Sequence, residues 1–154
     1  MEKKHFKNQK YLSDTSVIAQ GKLFRLLKDK LRGTILIPNA VIAELENLAN
    51  RGQDVGFHGL EEIAKLHKLK PKIRIQFIGQ RPSAHQIKFA KSGEIDALIR
   101  HLAYQNHAIL ITADKVQWKS AEAYGIKVIF IRTKIPEIKK KKFNLFRFKR
   151  KKNH

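Results

Sequence analysis

Apolar positions recur along this chain at two periods, and stretches of one alternate with stretches of the other. Tyr11 and Leu12 open a short strand expected around Tyr11 to Asp14. A turn and then a helix over Leu23 to Leu31 follow, with Leu23, Leu26, Leu27 and Leu31 at helical spacing. Thr34 to Ile37 is β-branched, apolar and closed by Pro38, which predicts a buried strand. Asn39 offers an N-cap for a helix that carries Val41, Leu45 and Leu48 to about Ala49. Arg51, Gly52 and Gly56 then mark a break before a helix through Leu60, Ile63, Ala64 and Leu66.

From Ile73 to Ile78 apolar residues alternate with Arg74 and Gln76, the pattern of a strand with one wet face near a sheet edge. Gly79 to Ser83 reads as a turn. A helix starting near Gly93 carries Ile95, Leu98, Ile99 and Leu102 on one face, and Ala108 to Thr112 reads as a fully buried strand. Ala113 to Tyr124 is helical, Gly125 is its expected stop, and Lys127 to Ile131 is a last strand. Strands alternating with helices predict an α/β fold, a short and mainly parallel sheet covered on both faces.

Composition changes the picture at the two ends. Residues 1 to 10 hold four Lys against one Glu and are expected to form a basic N-terminal arm, ahead of a body over residues 11 to 132. Residues 133 to 154 are expected to be a flexible basic tail: from Pro136 onward, Glu137 is the one acid against nine Lys or Arg. The whole chain has 33 Lys and Arg against 13 Asp and Glu, a formal net charge of +20. Such a balance favours nucleic acid as partner, with anionic lipid second. It names a partner class without naming a reaction.

The chain has no cysteine, which excludes disulfides, thiolate zinc sites and cysteine nucleophiles. Any metal ligands must then be oxygen or imidazole. Seven histidines show no metal-binding spacing, although His58, His85, His101 and His107 are candidates for phosphate contact. The N-terminal stretch lacks an apolar leader core, and no run approaches the length of a membrane span. A soluble, cytoplasmic protein without a transmembrane segment is expected.

Against this basic background four acids are candidates for chemistry. Asp14 falls at the carboxyl end of the first strand and Asp114 just past the end of the strand Ile109 to Thr112, where open α/β sheets bind ligands. Asp96 lies in the first turn of its helix, and Glu44 is near enough to the start of its own to reach the same edge. Four carboxylates gathered without a cation would raise one another's pKa by repulsion and desolvation. All-oxygen ligation suits magnesium or manganese, which can lower the pKa of water and neutralise charge on a phosphate. Each acid taken singly is as well explained by a solvated surface position or a helix cap. Glu46 and Glu94 lie two residues from Glu44 and Asp96, about 200° around a helix, and so cannot share a metal with them. Asp54, Glu61, Glu62 and Glu122 are expected to be solvated.

The segments around these acids, YLSDTSVI, ILIPNAVIAELENLAN, SGEIDALIRHLA and ILITADKVQWKSAEAYGIKVIFI, resemble in order the blocks of a PIN domain over about residues 11 to 132. GQDVGFHGLEEI and GQRPSAHQIKFAKSGEIDA look particularly like the PIN domain that begins archaeal PIN and PilT-like ATPases. No G-x-x-x-x-G-K-[ST] phosphate loop is present, so no ATPase half is expected here. The resemblance implies a three-layer α/β/α ribonuclease domain hydrolysing RNA with a magnesium- or manganese-activated water. It implies Asp14, Asp96 and Asp114 as metal ligands, Glu44 as the remaining catalytic acid, and Ser16 and Thr112 as hydrogen-bonding support. It leaves open two other readings: an RNA-binding or ribosome-associated adaptor, and a toxin held by an antitoxin. A homodimer and an ATPase partner are further protein contacts that it suggests.

The tail interleaves rings with cations: Lys139, Lys140, Lys141, Lys142, Phe143, Arg147, Lys149, Arg150, Lys151 and Lys152, together with Phe146 and Phe148. Cations displace phosphate counterions and rings stack on unpaired bases, so single-stranded or ribosomal RNA is the expected target. A solubilising tail, a membrane-binding segment or an import signal are the alternatives. Arg51, Arg81, Lys88, Lys91, Arg100, Lys115 and Lys119 flank the acidic segments as candidate groove residues. Trp118 is expected in the core or at a dimer contact rather than as a base-stacking platform.

Overall fold

The computed structural model describes residues 9–90 and 93–132. Strands β1 (Lys10–Ser13), β2 (Gly33–Pro38), β3 (Ile73–Ile78), β4 (Ile109–Thr112) and β5 (Val128–Phe130) form one sheet in the order β3-β2-β1-β4-β5. All four strand pairings are parallel. The inner strands bury side chains on both faces: Tyr11, Leu12, Ile35, Leu36, Ile37, Leu110 and Ile111 all belong to the core. Each such Leu or Ile removed from water contributes about 1.5–3 kcal/mol, which is why these short runs hold a sheet.

Helices fill every crossover: α1 (Thr15–Ala19) and α2 (Leu23–Lys30) after β1, α3 (Asn39–Asn50) and α4 (Asp54–Leu66) after β2, α5 (Ala84–Phe89) and α6 (Glu94–Gln105) after β3, and α7 (Lys115–Ala123) after β4. The chain moves outward from β1 through β2 to β3, then crosses back to β4 and on to β5. Right-handed crossovers therefore place α1 to α4 on one face and α5 to α7 on the other. The direction of winding reverses between β1 and β4, and a crevice opens there at the carboxyl ends of the two strands. Among the described residues, no helix is long and apolar enough to cross a membrane.

Several local expectations need correction. The segment after β1 is not a simple turn: Thr15–Ala19 is helical, with Asp14 as its N-cap. Asn39 is the first residue of α3 rather than its cap, and its amide Nδ2 donates to Gly79 O at 2.8 Å. Pro38 precedes the helix without any side-chain cap bond. Gly56 does not mark a break; it lies inside α4 where this helix crosses α3, and a Cβ there would overlap Ala49 N and Leu45 O. Glu62, expected in solvent, is buried and accepts from Phe24 N at 2.8 Å, which satisfies an amide at the start of α2. A further helix, α5, begins at Ser83, whose hydroxyl and the Gln86 carboxamide form a reciprocal capping box.

Other expectations match. β3 lies at the sheet edge, its exposure alternating from Ile73 to Gln76 and breaking at Phe77, which is also exposed, and Gly125, at φ +76°, closes α7. Trp118, by contrast, is only half-buried and lies outside the core, stacking on Phe130 with ring centroids 4.4 Å apart. The expected arm over residues 1–10 and the tail over 133–154 lie outside the described residues, except Gln9 and Lys10, the latter opening β1.

Candidate active site

Parallel pairing aligns Ser13 with Ile111, so the next residues, Asp14 and Thr112, emerge side by side at the crevice. Asp14 N donates to Ile111 O at 3.1 Å and extends the ladder by one bond. Its carboxylate, only 2% exposed, is fixed from three directions. Oδ1 accepts from Ser16 N at 3.1 Å and from Ser16 Oγ at 2.5 Å, while Oδ2 accepts from Thr112 Oγ1. The two hydroxyls also brace the loop after β4: Ala113 N donates to Ser16 Oγ and Asp114 N to Thr112 Oγ1, each at 3.0 Å. Ser16 and Thr112, expected as hydrogen-bonding support, both bond Asp14.

Burial pushes Asp14 up to about 6, and the nearby Asp96 charge adds to this; hydrogen bonds from Ser16, Thr112 and Val17 oppose it. Glu44, on α3, is pushed up to about 7, first by burial and then by the charges of Asp96 and Asp14, against a hydrogen bond from Thr15. That bond runs from Thr15 Oγ1 to Glu44 Oε1 at 2.9 Å. Asp96, in the first turn of α6, is also raised, by burial and the Asp114 charge, while Arg100 lowers it. The Asp96 charge thus contributes to the raising of both Asp14 and Glu44. Asp114 caps α7, its Oδ1 accepting from Val116 N at 2.7 Å and Gln117 N at 3.1 Å.

The structure thus brings Asp14, Glu44, Asp96 and Asp114 to one edge. Glu46 turns away to an exposed ion pair with Arg81 at 2.5 Å. The histidines named as phosphate contacts are all exposed, and Lys91 lies outside the described residues. So do the tail residues Lys139 to Lys152.

Two residues that hold the acids were missed. Thr15 follows Asp14 directly, but the unrecognised α1 hid its direction. Gln117 is 1% exposed. Its Nε2 donates to Asp96 O at 3.0 Å and its Oε1 accepts from Arg100 Nη1 at 2.7 Å, so it joins the start of α7 to the start of α6. The spacing Asp114-x-x-Gln117 has the form of a capping box, in which glutamine folds back on its own helix. Here it reaches across to another.

A hard divalent cation fits the chemistry of this donor set. The candidate ligands are carboxylate oxygens, and hydroxyls orient two of the acids. Both amides at Asp114 bond Oδ1, and Thr15 bonds only Oε1 of Glu44, which leaves an oxygen of each acid uncommitted among the described residues. Burial of the carboxylates, with repulsion between them second, is the deficit that a cation offsets. Among the described residues, no three or more His, Cys, Asp or Glu side chains stand close enough together to hold a metal ion as they are placed, so the donors suit a cation in kind and not yet in spacing.

The chain is similar to proteins of known sequence over the same span. An uncharacterized KH and PIN-domain containing protein of Methanocaldococcus jannaschii is 40% identical over 134 residues, covering 84% of this chain and 21% of that protein. An uncharacterized PIN and TRAM-domain containing protein of Synechocystis is 27% identical over 121 residues, covering 75% of this chain and 32% of its own length. The chain thus spans between a fifth and a third of the curated relatives it matches. A solved domain of a Methanocaldococcus jannaschii protein superposes with a TM-score of 0.75 at 40% identity, covering 83% of this chain and 94% of that domain. A PIN domain model matches residues 11–129, which include every strand residue but Lys10 and Phe130, and all four acids. The chain belongs to the PIN domain family.

Proposed function

We propose that this protein is a metal-dependent endoribonuclease that hydrolyses RNA phosphodiester bonds with water as nucleophile and without a covalent enzyme intermediate. PIN domains are generally nucleases and usually use divalent metals. The observation that carries the reading is the placing of Asp14, Glu44 and Asp96 at one edge, each raised first by burial and then by the charge of a neighbouring acid, in a chain whose net charge is +20. Such a site is costly as a purely structural device and suits a cation with a polyanion above it.

Asp14, Asp96 and Asp114 would hold magnesium or manganese. Bound there, the ion supplies a more acidic water and charge neutralisation on the phosphate. Ser16 and Thr112 fix both oxygens of Asp14, so that its orientation is set before substrate arrives. Thr15 orients Glu44, whose free Oε2 is the acceptor available for a proton from water. Gln117 holds the first turn of α6 and with it Asp96. The basic segments before and after the domain, residues 1–10 and 133–154, would hold the RNA backbone. The KH module in the M. jannaschii relative supports RNA as partner, since KH domains clamp nucleotides.

The test is cleavage of a labelled single-stranded RNA in manganese, magnesium or EDTA, beside Asp96→Asn. Metal-dependent products from the wild type are expected, and loss of cleavage by at least about a hundredfold in the variant, with fold and RNA affinity kept. Undiminished turnover by the variant would remove Asp96 from the mechanism. Binding without cleavage across a broad RNA panel would assign the domain to RNA adaptation instead.

A further inference from the structure

A cleft of about 340 Å³ opens on the β3 side of the carboxyl edge, between α5 and the first turns of α6. Its walls include Phe89 and Leu98, 62% and 50% exposed, and the imidazoles of His85 and His101. The His85 ring packs 4.5 Å from that of Phe89 at 45°, and Lys88 Nζ lies 5.5 Å from the Phe89 centroid. Among the described residues, Arg81 and Glu94 are the basic and acidic side chains of the lining, and Arg81 is already paired with Glu46. The described lining therefore carries little net charge, which fits a phosphate poorly. Exposed aromatic and aliphatic surface bordered by imidazole and amide groups fits a flat ring with hydrogen-bonding edges.

The cleft shares two helices with the acid site, although none of the four acids lines it. Glu94 and Ile95 line it, and Asp96 is the next residue of α6. Its other wall includes Ala40 at the start of α3, the helix that carries Glu44. The segment over residues 79–83, between β3 and α5, is held by the Asn39 bond to Gly79 O and the capping box at Ser83.

We propose that this cleft takes an unpaired nucleobase, stacked on Phe89, from a single-stranded RNA whose backbone passes over the acids. The proposal rests on the ribonuclease reading above. It adds a subsite that recognises bases apart from phosphates, and it makes duplex RNA a poorer ligand, because paired bases are not free to enter.

The test is fluorescence anisotropy of the full chain in EDTA, with a labelled single-stranded RNA and an abasic strand of equal length, for wild type, Phe89→Ala and Phe89→Trp. Phe89→Ala should bind the RNA about tenfold more weakly, and Phe89→Trp at least as tightly as wild type. All three should bind the abasic strand alike and show the same salt dependence on the RNA. Unchanged RNA affinity in Phe89→Ala, with wild type binding normally, would overturn the cleft and leave the nuclease reading standing. An equal loss on the abasic strand would also overturn it. A wild type that binds no single-stranded RNA would sink both.

Discussion

Two stretches of the same sheet edge are built by opposite rules. At the β1–β4 crevice, Asp14 is buried and held by Ser16 and Thr112, and no oxygen of it is left to find its own position. At the β3 end, Phe89 and Leu98 stand exposed, the first at the end of a six-residue helix with a capping box and the second on α6. The first stretch gives up stability for fixed geometry, since an ionised carboxylate is kept from water. The second keeps apolar surface in solvent and fixes little. Reaction centres need the former, and tolerant recognition of varied bases is compatible with the latter.

Thr112→Val should break the first stretch most. It leaves a buried carboxylate oxygen and the Asp114 amide without a partner, at a cost of about 2 kcal/mol, read from the denaturant midpoint at unchanged slope. A variant as stable as wild type would mean that Asp14 is not pinned from β4.

Gln117→Leu should come next, and it tests the joint between α6 and α7. Losing a group that orients a ligand weakens metal binding by about tenfold or more. Calorimetric titration with manganese measures this, and an unchanged affinity would reduce Gln117 to helix packing.

Protonation sharpens the contrast further. Asp14 at about 6 and Glu44 at about 7 are both raised, so the folded protein binds protons that the unfolded chain has released. Stability from these groups is present at acid pH and is lost as pH rises through those values. Glu44→Gln, in EDTA, should therefore gain thermal stability relative to wild type between pH 5 and pH 8. Manganese should raise the wild-type melting temperature more at pH 8 than at pH 5. A difference between variant and wild type that stays flat with pH would contradict the raised value for Glu44.

The smallest effect is expected on the second stretch. Phe89→Ala should change folding stability by no more than about 0.5 kcal/mol, since its ring is largely in solvent. A larger loss would show that the cleft is part of the core.

This contrast also marks what the sequence makes legible. The buried strands announced themselves, because Ile35 to Ile37 and Leu110 to Ile111 are continuous apolar runs. Strand ends and helix starts suggested the four acids as a set only weakly, because wide spacing is not a motif, and it was the resemblance of the segments around them to a PIN domain that picked them out. Glu62 was not readable: an acid in a helix looks solvated until the amide of Phe24, 38 residues away, is seen to need it. Thr15 and Gln117 were hidden likewise, since their partners lie on other elements and no local spacing encodes them. The short helices α1 and α5 carry too few residues to show a period, and only their caps betray them. Gly56 read as a breaker because glycine usually is one; here its missing side chain lets two helices touch.

That touch bears on how portable the site is. Leu45, next to Glu44 in α3, lies against Gly56 through its backbone and against Gly59 through its side chain, with no layer of atoms between that might be repacked. α3 is thus seated like a shaft in a fitted bearing, and the angle at which Glu44 meets the crevice is machined by residues that take no part in the chemistry. Transplanting the four acids onto another α/β scaffold would carry over the donors without their alignment; the glycine pair of α4 would have to travel with them.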